Sequence, residues 1–135
     1  MIVCLDTNIV IYYVERHPIW EPKVAARLKV ISIAGDTLAV CDLARAECLV
    51  GPLKSGNAVA LADYQRFFAS ASIQMLPLTV RVCERTAAVR VASAMSFELP
   101  DCLHLAAAIE YNCGLFLTND AQLAGCSAIP VEVLS

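Results

Sequence analysis

The chain opens with Ile2-Val3-Cys4-Leu5, an uncharged apolar tetrad that runs directly into Asp6-Thr7-Asn8. Four consecutive apolar residues with no polar alternation suit a strand buried on both faces, as in a parallel sheet. Parallel strands need long crossovers, usually helical, so this one stretch points to an α/β fold. Asp6 then falls at the carboxyl end of its strand, where open α/β sheets bind ligands. It also suits the N-cap of a following helix. Both readings stay open at this stage.

The remaining pattern alternates helix with strand. Residues 8–15 read as a short helix. Val24, Leu28 and Ile31 set a helix over 21–34 that closes at Gly35, with Trp20 packed under its entrance. Thr37 to Cys41 reads as a second strand. Asp42 is placed as the cap of a helix over 43–50 that Gly51-Pro52 should end. Leu61, Tyr64, Phe68 and Ala71 share one face of a helix over 57–71. Residues 73–77 read as a third strand, whose Pro77 marks a strand end or a sheet edge. Thr79 should cap a helix reaching about Phe97, with Val82, Thr86, Val89 and Ser93 on one side. Arg81, Glu84, Arg85 and Arg90 are expected towards solvent. Pro100-Asp101 opens a helix over 101–113, and Leu115 to Thr118 is a fourth strand. A helical turn from Ala121 and a last strand near 131–133 complete the pattern. The expected architecture is a three-layer α/β/α sandwich on a central parallel sheet, forming one domain over 1–135.

Composition narrows the setting. The hydrophobic fraction is 59%, enough for a thick core and some apolar surface for a partner. No run reaches 18 apolar residues, and Asp6 comes too early for a signal peptide, so a cytoplasmic protein without a membrane span is expected. The 7 cysteines form no CxxC pair and read as buried, reduced thiols. With only His17 and His104 to assist, a zinc site is not expected.

Four acids stand out by position. Asp6 follows the first strand and Asp120 the fourth. Asp101 lies in the first turn of the helix leading into that fourth strand, and Glu47 lies in the helix after the second. Each has an ordinary explanation. Asp101 suits a helix dipole, Asp120 suits a cap or turn, and Glu47 suits a solvated helix face or a pair with Arg45. Together they all fall near one expected rim of the sheet. Two carboxylates about 5 Å apart repel by roughly 3 kcal/mol at an effective dielectric near 20. Such a group should protonate in part or bind a cation, and all-oxygen ligands favour Mg²⁺ or Mn²⁺.

The ordered set resembles the PIN-domain family, and within it the VapC-like toxins of toxin–antitoxin pairs. Val3-Cys4-Leu5-Asp6-Thr7-Asn8 resembles the first motif. The stretch from Asp42 to Pro52 resembles the second, with its acid at Glu47. Pro100-Asp101-Cys102-Leu103-His104-Leu105-Ala106-Ala107-Ala108 resembles the third, and Leu117-Thr118-Asn119-Asp120 the fourth. The resemblance implies an endoribonuclease that hydrolyses RNA phosphodiester bonds with Mg²⁺ or Mn²⁺. It implies Asp6 and Asp101 as principal metal ligands, completed by Glu47 and Asp120. Thr7, Asn8, Thr118 and Asn119 would then support the carboxylates. Cys41 and Ala44 stand where members often carry a hydroxyl, and Asn119 where some add an acid. The resemblance further implies a cognate antitoxin that covers the site, and the composition is compatible with a homodimer. Residues 8–34 and 43–71 are expected to form the partner groove. Arg16, Arg45 and Lys54 are candidate phosphate contacts. His104 is expected to be an ordinary helix residue, because carboxylate–metal chemistry needs no imidazole base.

The net charge of −3 argues against a general polyanion binder. With four acids set aside on metal, the remaining acids and the 10 bases nearly balance, so binding at a filled site stays open. Three alternatives compete. A haloacid-dehalogenase-type phosphatase needs a second Asp where Asn8 stands. A DNA-acting 5′-nuclease needs more acids and a longer chain. A catalytically silent PIN-like binding module differs from the enzyme only in what its acids do.

Overall fold

In the computed structural model, which describes residues 1–135, the opening tetrad is strand β1 (Ile2–Leu5), and Val3, Cys4 and Leu5 are buried. The chain continues through α1 (Thr7–Val14), α2 (Glu21–Ile33), β2 (Thr37–Cys41), α3 (Leu43–Ser55) and α4 (Ala58–Ala69). Then follow β3 (Ile73–Leu76), α5 (Val80–Ala92), α6 (Leu99–Glu110), β4 (Leu115–Thr118), a 3₁₀ turn (Ala121–Gly125) and β5 (Val131–Val133). No helix is long and apolar enough to cross a membrane.

The five strands pair in the order β3-β2-β1-β4-β5, and every pair is parallel. Strand β1 is therefore central, and Pro77 follows an edge strand as its missing N–H requires. Alternation along the pleat divides the core in two. Cys4, Ala39 and Phe116 pack with Val82, Val89, Leu105 and Ala108 of α5 and α6. Val3, Leu5, Val40 and Leu117 pack with Ile9, Val24, Tyr64 and Phe68 of α1, α2 and α4. These are the three expected layers. All 7 cysteines are free, and only Cys83 is exposed.

The sheet positions a rim. Leu5 lies beside Val40 on one side and Leu117 on the other, so the carboxyl ends of β1, β2 and β4 are level. The chain runs β1 to β2 to β3 in one direction, then returns to place β4 on the other side of β1. The strand order thus reverses between β1 and β4, the crevice where open α/β sheets bind ligands.

Several boundaries differ from expectation. Helix α3 does not stop at Gly51-Pro52; it continues to Ser55, with Pro52 inside it and buried. Pro in a helix interior forfeits a hydrogen bond at a cost of about 3 kcal/mol, and burial of its ring offsets that loss. Asp42 does not cap α3: its backbone is helical, it makes no side-chain cap bond, and its carboxylate pairs with Arg45. The true stop is Gly56, at φ +71°, and Asn57 then caps α4 by accepting from Ala60 N–H. Ala71 lies beyond α4 and is exposed. Helix α5 ends at Ala92 rather than near Phe97. Ala94 and Met95 turn left-handed at φ 55° and 65°, and Met95 N–H closes back on Arg90 O, the way a helix ends on left-handed residues. Arg90 is not free in solvent but turns back onto Phe97 O. Helix α6 spans Leu99–Glu110 rather than 101–113, because Pro100 serves its first turn and Asn112 turns left-handed at φ 57°.

Gly56 gives a first prediction. A Cβ there would meet nothing within 4 Å, so Gly56→Ala tests backbone conformation alone. A left-handed Ala costs roughly 1–2 kcal/mol. The melting temperature, followed by circular dichroism, should fall by about 3–8 °C.

Candidate active site

Asp6 is where the two early readings of the sequence meet. It caps α1, with Oδ1 accepting from Thr7 N–H at 2.8 Å. Its other oxygen, Oδ2, accepts from Thr118 Oγ1 at 2.7 Å and from Asn8 Nδ2 at 3.4 Å. The side chain is thus fixed from both β1 and β4, and the residue is only 5% exposed. Thr118 Oγ1 in turn accepts from Asp120 N–H at 3.0 Å, and Asn8 Oδ1 from Asn119 N–H at 3.2 Å. The polar residues after β1 and β4 therefore form one hydrogen-bonded lattice across the crevice. Asn119 joins it through its backbone. Its side chain is engaged elsewhere, with Oδ1 accepting from Tyr12 Oη at 3.0 Å and Nδ2 donating to Leu134 O at 3.0 Å.

Asp101 faces this lattice from α6. Burial, followed by the fields of Asp6 and Asp120, raises its pKa from 3.8 to about 6. His104 opposes that rise, and Glu98 at the cap of α6 adds to it. Asp6, Asp101 and Asp120 thus share one negative field. Asp120 also caps the 3₁₀ turn by accepting from Gln122 N–H.

Glu47 sits differently. It pairs not with Arg45 but with Thr7 Oγ1 at 2.7 Å and His104 Nε2 at 2.5 Å. The His104 hydrogen bond lowers the Glu47 pKa against the effect of burial. Burial alone would strip the charge from His104. Contact with Cys41, the Glu47 bond and the Asp6 field outweigh it and raise His104 above the usual histidine range. His104 is therefore more than the ordinary helix residue expected from the sequence. Its place three residues after Asp101, on the same helix face, was the available signal.

The acids share a rim but do not close on a point: no three His, Cys, Asp or Glu side chains converge to hold a metal ion as they stand. Their chemistry nonetheless fits a divalent cation. The donors are all oxygen, and the Asp101 pKa is raised to about 6 by burial and then by its acidic neighbours, a repulsion that a cation would relieve.

The basic residues lie further away. Arg45 is tied to Asp42 at 3.0 Å and stacked over Phe68. Lys54, in the last turn of α3, lies about 10 Å along the helix axis from Glu47. Arg16 follows α1 with a left-handed backbone, φ 54°, and lines a groove with Tyr13, Val14, Asp63, Arg66 and Phe67.

A parallel sheet with three carboxylates in one field at its switch point defines an α/β protein with an acidic, cation-fitting rim. The chain belongs to the PIN domain family, whose model matches residues 3–126. Solved structures share the fold across the whole chain. VapBC2 from Rickettsia felis, bound to a DNA fragment from its promoter, superposes with a TM-score of 0.83 at 19% identity, covering 100% of both chains. DNA-bound VapBC from Salmonella typhimurium gives 0.81 at 17% identity, covering 100% of this chain and 99% of that one. FitAcB from Neisseria gonorrhoeae gives 0.70 at 19% identity, covering 96% and 95%. No curated protein matches the chain in sequence.

Proposed function

We propose that the chain is a metal-dependent endoribonuclease, the toxin of a toxin–antitoxin pair, acting in the cytoplasm. The observation that carries this reading is Asp6, fixed at the β1–β4 crevice by Thr7 N–H, Thr118 and Asn8 with Asp101 and Asp120 in its field. It stands in a PIN-family chain folded like the VapBC structures above and like a toxin–antitoxin complex from Klebsiella pneumoniae. Asp6, Asp101 and Asp120 would hold Mg²⁺ or Mn²⁺, with Glu47 completing the set directly or through water. A divalent ion there supplies concentrated positive charge to the scissile phosphate and the departing oxygen.

The protein's own groups do the rest. Thr7 N–H, Thr118 and Asn8 fix the direction of the Asp6 carboxylate, so no reorientation is needed as charge develops. Glu47, its side chain 35% exposed, would orient the attacking water. Arg16 and Lys54 are available to phosphates beyond the site, where contacts position RNA without selecting sequence. The cognate antitoxin would lay an apolar helix in the groove between α1, α2 and α4, which Tyr13, Leu28, Leu38 and Phe67 line.

Incubation with total cellular RNA tests the reading. Discrete fragments with Mg²⁺ or Mn²⁺, and none with EDTA, are expected. A silent binding module would give neither fragments nor thermal stabilisation by Mn²⁺.

Two further results are expected of the metal. Mn²⁺ at about 100 times its Kd should add roughly 2.7 kcal/mol to stability, visible as a rise of several degrees in Tm that EDTA reverses. The second concerns pH. The folded Asp101 pKa is raised above the unfolded value, so the folded state binds this proton more tightly. The stability it contributes to the metal-free protein is full below about pH 4 and lost as pH rises through about 6. Mn²⁺ competes with the same proton. Its affinity by calorimetry should therefore rise between about pH 5 and 7, and a flat profile would remove Asp101 from the ligand set.

A further inference from the structure

We propose that His104 is a positioning residue for Glu47, holding one carboxylate oxygen in place so that the other is presented in a single orientation. This rests on the metal-site reading above. Helix α6 brings the imidazole to Glu47 of α3 and Thr7 of α1. The three side chains form a closed triangle. Thr7 Oγ1 donates to Glu47 Oε1 at 2.7 Å, His104 Nε2 lies 2.5 Å from the same oxygen, and Nε2 lies 3.1 Å from Thr7 Oγ1. Both contacts fall on Oε1 and leave Oε2 in a half-exposed side chain.

Packing does not account for the residue. His104 is 1% exposed among Cys102, Leu105, Ala106 and Ala107 of its own helix, all buried. Its second ring nitrogen, Nδ1, is buried without a hydrogen-bond partner. An aliphatic residue would fill this place with no orphaned polar atom. What histidine provides here is the bond from Nε2 to Glu47, the kind of outer contact that orients a carboxylate at a metal site.

The test is Mn²⁺ affinity, measured by calorimetry with the metal alone. Wild type, His104→Gln, His104→Leu, Glu47→Ala and the Glu47→Ala/His104→Leu double variant are compared, with a circular dichroism melt of each to confirm folding. Gln places an amide N–H near the position of Nε2, whereas Leu fills the volume and cannot donate. His104→Leu should weaken Mn²⁺ binding by about 10- to 100-fold, and His104→Gln should recover most of the loss. In the Glu47→Ala background the Leu change should have no further effect, because the lost contact is already absent. Wild-type affinity in His104→Leu, or an equal loss in both backgrounds, would overturn the positioning role and leave the metal site standing. Absence of Mn²⁺ binding by wild type would overturn the site and this role together.

Discussion

Asp6→Asn lowers metal-dependent RNA cleavage by at least about 100-fold and leaves the protein folded; this is the largest functional effect expected. Disturbing a group that only orients a metal ligand costs about 10–100-fold, so replacing the principal ligand proposed above should reach the upper end of that range or beyond. Asn keeps the shape of Asp and the oxygen that caps α1 by accepting from Thr7 N–H. The Thr118 hydroxyl can rotate to accept from the new amide, since a hydroxyl both donates and accepts. The fold therefore has no cause to fail, and only the negative charge is removed. Cleavage assays beside a thermal melt check this. A folded variant with undiminished, metal-dependent activity would take Asp6 out of the site.

Phe116→Ala carries the largest expected effect on stability. Phe116 is wholly buried on β4, where it faces the α5–α6 layer. Truncating a buried Phe costs about 3–5 kcal/mol, because the cavity closes only in part. Against a typical total of 5–15 kcal/mol, that is a large share. Tm should fall by roughly 10–20 °C, measured by calorimetry or denaturant titration. A loss below about 1 kcal/mol would mean that the layer repacks freely around the gap.

Strand positions were legible in the residues, and the reason is physical. Ile2–Leu5, Thr37–Cys41 and Leu115–Thr118 are short apolar runs flanked by polar residues and turns, and a parallel sheet leaves such runs only one place to go. Helix ends were less legible because local signals compete there. Gly51-Pro52 is a strong stop signal, yet α3 runs through a buried Pro52 and stops only at Gly56. Ala94 and Met95 look unremarkable in sequence, yet both turn left-handed and end α5.

The site divides in the same way. Asp6 and Asp120 could be picked out because each follows a strand by one or two residues, and Asp101 because it opens the helix that leads into β4. What each acid bonds to could not. Glu47 and His104 are 57 residues apart, and nothing local relates a helix residue after β2 to one before β4. Asn119 reads as a supporting amide, but its side chain turns to Tyr12 and Leu134 and only its N–H serves the crevice. Hydrophobic periodicity and turn chemistry act between neighbours in the chain, so the residues alone place the strands, the layers and the acids that follow them. Hydrogen bonds and electric fields act between neighbours in space. The pinning of Asp6 by Thr118, the raised pKa of Asp101 and the His104–Glu47–Thr7 triangle therefore came into view only when the sheet set β1 beside β4 and packed α3 and α6 against them.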